Sequence, residues 1–336
     1  MLDLVPSALA QLTARLHQLN WLPIDVQLTA AATAGDGNMN RTLRVDTDGS
    51  PATLILKQSV PFVAKYPDIP APIERASAEA AFYGAIAGHH NVQDRTPTLI
   101  GYDSDNYLLA FEDLGAGSDQ LGLYQQTTTP VEIAGMTEPL IEWLSELHAI
   151  PTPELSALTN LSMRELNHTH IFRLPLAQEP AIELAGLAEI ASEFAADGQL
   201  VARALELGAI YLGEAPFRSD PVLLHGDFYP GGWLTDNQNT IRVIDAEFCF
   251  IGPAEFDLGV MQAHLVFAGM SWQESKHACS HYRAPQGFDP QLCEGFAGME
   301  IIRRLLGVAQ LPLVASTAQK LGWLHQAREL VLGTRS

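Results

Sequence analysis

Cysteine is scarce in this chain of 336 residues, which contains only Cys249, Cys279 and Cys293. Their number is odd and their spacing matches no zinc motif, so we expect neither a disulfide framework nor a cysteine metal centre. Sparse cysteines without either use are typical of proteins in a reducing compartment. The sequence therefore predicts a cytoplasmic protein.

Basic residues are also few. Lys and Arg number 19 against 39 Asp and Glu, which gives a formal net charge of −20. A surface of this charge repels nucleic-acid phosphates and anionic lipids, so we expect neither nucleic acid nor membrane as a partner. The same field favours a cationic small molecule, whereas an anionic ligand would require a local basic pocket.

Long apolar runs are missing as well. The run "VMQAHLVFAGM" is interrupted by Gln262 and His264, and no run approaches the roughly 20 residues of a membrane-spanning helix. The first residues lack a basic segment before an apolar block, so no signal peptide is expected. Apolar residues nevertheless make up 47% of the chain, which is sufficient for a large folded core.

The first third of the chain has the pattern of a small lobe that consists mainly of sheet. Residues 1–21 repeat leucine at helical spacing and predict an N-terminal helix. Over residues 24–57, strand-like segments alternate with the turns "GDGNMN" and "DTDGS", which predicts a three-stranded antiparallel meander. Residues 73–88 predict a helix, and two further strands follow. We assign this small lobe to residues 22–115.

The rest of the chain, residues 116–336, predicts a larger and mostly helical lobe. It begins in the glycine-rich segment "GAGSDQLGL", and the strands that carry the candidate catalytic residues lie at 221–250. The segment "HTHIF" alternates His168 and His170 without a nearby third ligand, so we expect a surface or half-buried strand there rather than a metal site. The predicted fold class is α+β, with two lobes.

Carboxylates end two strand-like segments, "LLHGD" and "IRVIDAE". Adjacent strand ends would bring Asp227, Asp245 and Glu247 together, and such acids repel one another unless a cation lies among them. Mg²⁺ suits the position because it takes oxygen ligands and shares them with phosphates. One of the acids could then act on a substrate hydroxyl as a general base. Acids at strand ends that merely cap loops remain an alternative.

Three weaker features lie upstream in the order found in protein kinases. The Gly35–Asn40 turn joins the first two strands, Lys57 ends the third strand, and Glu79 lies in the following helix. In kinases such a turn covers the phosphates, the lysine contacts them, and the glutamate holds the lysine. Each feature alone is common on protein surfaces. Their order, followed by His-Gly-Asp and Asp-x-Glu, indicates phosphoryl transfer.

With these motifs the sequence resembles the small-molecule kinases related to aminoglycoside phosphotransferases and choline kinases, and among them the methylthioribose kinases. The resemblance covers most of the chain, least securely over residues 116–215. It implies a protein-kinase-like fold with a small antiparallel sheet lobe carrying one helix and a larger helical lobe, with ATP and Mg²⁺ as cofactors. The matching segments are "GDGNMN", "LILKQ", "IERASAEA", "AFEDLG", "LLHGDFYPGGWL", "VIDAEFCFIGPAEFDLG" and "MEIIRRLLGVAQ".

The resemblance implies a role for each matched residue. Asp227 would be the catalytic base in the catalytic loop 223–234, and Asp245 and Glu247 of the motif 245–247 would bind Mg²⁺. Asp257 and His225 would brace the catalytic loop. The residues that would hold ATP are Gly35, Asp36, Gly37, Asn38 and Asn40 over the phosphates, Lys57 with its partner Glu79, and Glu112 and Leu114, whose backbone would bind adenine.

Arg303 and Arg304 are neighbours on a predicted helix, so their side chains diverge by about 100°. Such a pair usually lies on a solvated face, but the flanking residues in "EIIRRLLG" are apolar. A buried guanidinium without a partner is costly, so both arginines should meet anions. The resemblance implies that these anions are the substrate and the transferring phosphate, which makes both arginines catalytic.

The sequence departs from the family at two positions. Gly232 stands five residues after Asp227, where many relatives carry an asparagine that helps hold the metal. Tyr66 and Pro67 stand near the place of a tryptophan-bearing loop in methylthioribose kinases. We expect an ATP-dependent kinase acting on a hydroxyl of methylthioribose or a related pentose. A different small acceptor (an aminoglycoside, an amino alcohol or another sugar), a nucleotide-binding pseudokinase and a homodimer all remain open.

Overall fold

The structure is a computed structural model that describes residues 2–35, 37, 39–115, 117–152 and 155–334. Asp36 and Asn38, two of the predicted ATP-binding residues, lie outside the described residues. The helices are α1 (Leu9–Gln18), α2 (Arg75–Ile86), α3 (His90–Gln93), α4 (Pro130–His148), α5 (Leu161–His168), α6 (Ala188–Ala196), α7 (Gly198–Leu212), α8 (Glu255–Phe267), α9 (Trp272–Ala278), α10 (Pro290–Leu306) and α11 (Thr317–Leu332).

The strands divide between the two halves of the chain. They are β1 (Leu28–Thr33), β2 (Arg41–Thr47), β3 (Thr53–Gln58), β4 (Phe62–Val63), β5 (Tyr66–Pro70), β6 (Leu99–Asp103), β7 (Leu108–Glu112), β8 (Ser118–Asp119), β9 (Val222–Leu224), β10 (Trp233–Thr235), β11 (Ile241–Val243) and β12 (Phe250–Gly252). Together they give an α+β fold with a small antiparallel sheet region and a larger helical region, which confirms the predicted fold class.

The sheet of the small lobe has the strand order β1-β2-β3-β7-β6, and every neighbouring pair is antiparallel. Successive side chains of a strand point to opposite faces. In β3, Leu54 and Leu56 therefore pack under α1, whereas Ile55 and Lys57 lie on the other face, toward α2. This alternation places the lysine beside the helix glutamate.

Helix α8 runs through the centre of the larger lobe, where each of its residues is buried. It packs along α10, whose residues from Phe296 to Leu306 are also buried. Asp257 and His264 are seven residues apart on α8 and therefore share one face of the helix. Each contributes a hydrogen bond to the site described below.

The structure corrects one prediction in this lobe. The segment "HTHIF", predicted as a strand, instead ends α5 at His168 and continues as a π-helical turn over Thr169–Arg173. Ile171 and Phe172 are consecutive and both buried, which an alternating half-buried strand would not allow. No described helix is both long and apolar enough to cross a membrane.

Candidate active site

The loop that carries Asp227 follows strand β9 and is held in place by hydrogen bonds to a residue of α8. Both carboxylate oxygens of the fully buried Asp257 accept backbone hydrogen bonds, from the amides of His225 (2.7 Å) and Gly226 (2.9 Å). Gly226 has φ of +83°, and a Cβ there would lie 2.0 Å from the carbonyl oxygen of Phe248. Only glycine fits this position, so the backbone before Asp227 is tightly fixed.

His225 joins the catalytic loop to the strand before Asp245. Its Nε2 lies 3.0 Å from the carbonyl oxygen of Ile244. The ring packs edge-on against Phe82, Trp143 and Phe228. A buried ring with these contacts orients the loop, and it thereby relates the position of Asp227 to that of Asp245.

Two glycines in the loop make close packing possible rather than supplying ligands. A Cβ on Gly231 would lie within 2.7 Å of several atoms of the Tyr229 ring, and one on Gly232 would lie 3.2 Å from the carbonyl oxygen of Ile244. The Tyr229 ring lies in turn 4.8 Å from the guanidinium of Arg304. The absence of side chains at these glycines lets the loop fold against both neighbours.

Lys57 is buried and lies among carboxylates. Its Nζ lies 2.8 Å from Oε1 of Glu79 and also contacts Oδ1 of Asp245. Burial disfavours the charge, but the carboxylates of Asp245, Glu79 and Glu247 outweigh it and raise the pKa of Lys57 well above its usual value. The lysine is therefore a fixed positive charge that bridges α2 and the acidic motif.

Glu247 is surrounded by residues from the small lobe. Its Oε2 accepts a hydrogen bond from Nδ2 of Asn40 (2.8 Å) and lies 3.1 Å from Nε of Arg75. The same Nε donates to Oδ1 of Asn40 (3.0 Å). Arg75 is fully buried, and its remaining nitrogens donate to three backbone carbonyls, those of Met39, Val60 and Pro72. Asn40, predicted to cover phosphates, thus has its side chain engaged within the protein.

The acidic pair can nevertheless accommodate a magnesium ion. Within the described residues, no three His, Cys, Asp or Glu side chains are close enough to hold a metal by themselves. Mg²⁺ in phosphate-transferring sites is usually held by one or two carboxylates and the phosphates, so a closed protein cage is not required. The hydrogen bonds above use Oδ1 of Asp245 and Oε2 of Glu247, which leaves one oxygen of each carboxylate for the ion.

Arg303 and Arg304 lie in the last turn of α10, and both are only 6% exposed. Arg304 donates from NH2 to Oδ1 of Asp227 (3.2 Å), and NH1 of Arg303 lies 3.9 Å from the same oxygen. The structure thus brings both arginines to Asp227. The position of the pair at the C-terminal end of the helix is also favourable, because the helix dipole is negative there.

The remaining predicted ATP-binding residues lie at the rim of the small lobe. Gly35 and Gly37 border open space, since a Cβ at either would meet no atom within 4 Å. Glu112 ends β7 and donates its amide hydrogen to the carbonyl of Thr98 (3.0 Å). Leu114 follows two residues later. The adenine contact expected from Glu112 therefore depends on its carbonyl oxygen rather than on its amide.

Three residues at the site were missed by the sequence analysis: Arg75, Tyr229 and Glu300. Arg75 precedes Glu79 by four residues and so lies on the same face of the helix. This spacing could have indicated that Arg75 belongs to the site. Glu300 precedes the arginine pair by three and four residues, which is the same signal. Tyr229 has no such pattern, because its contact with Arg304 joins residues 75 positions apart.

The titration of Glu79 gives a first testable prediction. Burial raises its pKa to about 7, because Lys57 opposes this only in part while Asp245 and Glu247 reinforce it. A carboxyl group whose pKa is higher in the folded than in the unfolded state contributes its full stabilisation when the pH is below its ordinary pKa of 4.5. This contribution is lost as the pH rises through the folded-state pKa of about 7. Relative to Glu79→Gln, the wild-type free energy of unfolding should fall by about 3 kcal/mol across this range. Urea titrations of both proteins at pH 5 and pH 8 measure the change, and a difference that does not vary with pH would contradict it.

The bilobal fold, the Lys57–Glu79 pair and an aspartate loop facing an acidic motif define a protein-kinase-like phosphotransferase. The chain belongs to the phosphotransferase enzyme family, whose family-wide sequence pattern matches residues 31–286. With kinases among its relatives, this protein is accordingly a small-molecule kinase with a hydroxyl acceptor.

Curated relatives include methylthioribose kinases. The chain is 26% identical over 317 residues to the one from Bacillus velezensis, covering 82% of this chain and 78% of that protein. It is 24% identical over 359 residues to the one from Pectobacterium carotovorum subsp. carotovorum, covering 90% and 87%.

Solved structures share the fold at lower identity. A choline kinase from Streptococcus pneumoniae has a TM-score of 0.53 and 11% identity, covering 96% of this chain and 98% of that one. A spectinomycin phosphotransferase in complex with ADP and spectinomycin has a TM-score of 0.52 and 13% identity, with 97% and 98% covered.

Proposed function

We propose that this protein transfers the γ-phosphoryl group of ATP to a hydroxyl of methylthioribose or a closely related pentose. The observation that carries the proposal is the meeting of Asp227 with Arg303 and Arg304 at the end of α10. A base and two cations at one point suit a hydroxyl that attacks a phosphoryl group. The methylthioribose kinases among the relatives support the choice of acceptor.

Six residues of the site have a part in this reaction. Asp227 orients the acceptor hydroxyl and accepts its proton as the hydroxyl oxygen bonds to the γ-phosphorus, while the bond from that phosphorus to the bridging oxygen breaks and ADP leaves. Arg303 and Arg304 offset the charge on the transferring group, and Lys57 holds the other phosphates. Asp245 and Glu247 would hold Mg²⁺, which when bound supplies further neutralisation of phosphate charge.

The charges around Asp227 favour a neutral acceptor. An ammonium group of an aminoglycoside or amino alcohol would pair with a carboxylate that lacks a cation. The carboxylate of Asp227 already has a guanidinium at 3.2 Å and a second at 3.9 Å. A cation placed there would be repelled by both arginines. A sugar hydroxyl carries no such penalty, even though the net charge of −20 would attract cations from a distance.

A coupled assay of ADP release tests the proposal directly. Methylthioribose, other pentoses, aminoglycosides and amino alcohols are each offered with ATP and Mg²⁺. We expect turnover with methylthioribose or a related pentose and only background with the cationic acceptors. Turnover confined to the cationic acceptors would overturn the choice of substrate. ATP binding without turnover of any acceptor would instead favour a pseudokinase.

The arginine pair gives a second prediction. Arg303→Ala should lower kcat/KM for the acceptor by about 100-fold, because it removes one of two cations at the transferring group. The KM for ATP should change little, since Lys57 is intact. Arg203→Ala is the matched control, because this partly exposed arginine pairs with Glu206 on the surface of α7. An unchanged kcat/KM in Arg303→Ala would make the arginine structural.

A further inference from the structure

Glu300 lies one turn before the arginine pair and touches both members. It is 1% exposed. Its Oε2 accepts a hydrogen bond from NH1 of Arg303 (3.0 Å), and its Oε1 accepts one from Nε of Arg304 (2.5 Å). Burial alone raises the pKa of this carboxyl group, but the two guanidiniums outweigh burial and hold the pKa well below its usual value. Glu300 is therefore an anion that joins two cations.

The contact with Glu300 brings together two neighbouring arginine side chains that would otherwise point in different directions. Arg303 and Arg304 leave α10 about 100° apart, but residues three and four positions after Glu300 both flank it on the helix surface. A carboxylate at that point can hold one guanidinium with each oxygen. The two arginines are thereby turned toward each other, and both come within 4 Å of Asp227.

A second helix fixes the carboxylate itself. Nε2 of His264, on α8, lies 3.0 Å from Oε1 of Glu300, and Nδ1 of the same ring lies 2.6 Å from the hydroxyl of Tyr124. His264 and Tyr124 are fully buried. Burial lowers the pKa of His264 despite its acidic neighbour, so the neutral ring donates to Glu300 from Nε2 and accepts from the tyrosine at Nδ1.

We propose that Glu300 is a positioning residue for phosphoryl transfer, which holds both guanidiniums at Asp227 and is itself held through His264 by Tyr124. The proposal rests on the function proposed above. Glu300 does not touch the reacting atoms; it acts through the arginines. It also neutralises one of their two charges, so that Arg303 and Arg304 can lie side by side without forcing each other apart.

A double-mutant cycle distinguishes positioning from simple stabilisation. Glu300→Gln keeps the shape but not the charge, and it should lower kcat about 100-fold while the KM for ATP changes less than about twofold. In an Arg303→Ala, Arg304→Ala background, the same substitution should lower kcat no further, because there is nothing left to position. Equal losses in both backgrounds would overturn the proposal. So would a loss confined to the KM for ATP.

A milder variant covers the case in which Glu300→Gln fails to fold. Tyr124→Phe removes only the hydroxyl at the end of the chain of hydrogen bonds, and it should lower kcat about 5-fold with an unchanged KM for ATP. Tyr211→Phe is the matched control, since this tyrosine is equally buried but its hydroxyl bonds Asn167. If both variants lose kcat equally, the role assigned to Tyr124 and His264 is wrong.

The two proposals can fail separately. If wild-type protein turns over an acceptor other than a pentose, the choice of substrate is wrong, and the cycle is run with that acceptor. If no acceptor is turned over, NMR of the arginine Nε–H groups tests whether Glu300 positions the arginines. Glu300→Gln should then shift the Arg304 signal and speed its hydrogen exchange. A signal identical to that of wild-type protein would overturn the positioning role.

Discussion

Asp227→Asn should lower kcat about 1,000-fold, which is within the range expected when a general base is lost. Asparagine keeps the size of the side chain and one oxygen, so the loop held by Asp257 should stay in place. It can no longer accept the proton of the acceptor hydroxyl, and it removes the anion paired with Arg304. The KM for ATP should stay within about twofold, because the proposed nucleotide contacts lie elsewhere.

Steady-state ADP release, with the acceptor found in the substrate assay, measures this effect. Asp25→Asn is the matched control, because this aspartate is exposed and lies before β1, outside the loop of Asp227. The thermal midpoint of each protein shows whether folding is intact. A kcat for Asp227→Asn within tenfold of the wild-type value would rule out Asp227 as the catalytic base.

Lys57→Met should lower kcat/KM for ATP by about 100- to 1,000-fold, since it removes the fixed cation from the proposed phosphate site. Methionine retains much of the length of the lysine stem but leaves Glu79 buried without its cation. Without that cation the buried carboxyl group should be protonated, since its pKa is about 7 even beside Lys57. Holding it protonated near pH 7, above its ordinary pKa of 4.5, costs about 3 kcal/mol, so this variant should also be less stable. Two effects are therefore expected from a single substitution.

A second substitution separates them. Adding Glu79→Gln removes the carboxyl group that must be held protonated, so the double variant should regain most of the lost thermal stability while its kcat/KM stays low. Lys320→Met, on α11, is the control for loss of a lysine outside the site. If the double variant regained activity together with stability, Lys57 would be a structural residue and its contact with phosphates would be excluded.

The parts of the site nearest in sequence were the most predictable. Lys57 and Glu79 are 22 residues apart, on a strand with clear alternation and on the helix that follows it. The order of the motifs, which is that of protein kinases, predicted the pairing of the two residues, and the structure places Nζ of Lys57 2.8 Å from Oε1 of Glu79. The loop of Asp227 was equally predictable, because an apolar run that ends at His-Gly-Asp indicates both a strand and the place where that strand ends.

Short apolar segments were less informative. The residues from His168 to Phe172 alternate polar and apolar groups over a length too short to distinguish a strand from a helix. The structure shows that this segment continues α5 as a π-helical turn. Packing against α10 and α7 decides its conformation, and neither contact is visible in the local pattern.

Sequence alone determined the α+β fold class and indicated most of the charged residues of the site and their order along the chain, but not Arg75 and Glu300. It could do so because hydrophobic periodicity and turn residues are local signals. Only the tertiary structure decided which partner each charged side chain contacts. Glu247 is held by Asn40, 207 residues away, and Glu300 is held by a histidine of another helix. Contacts at such separation follow from how the helices and the sheet pack, because buried charges must find partners wherever the fold brings them.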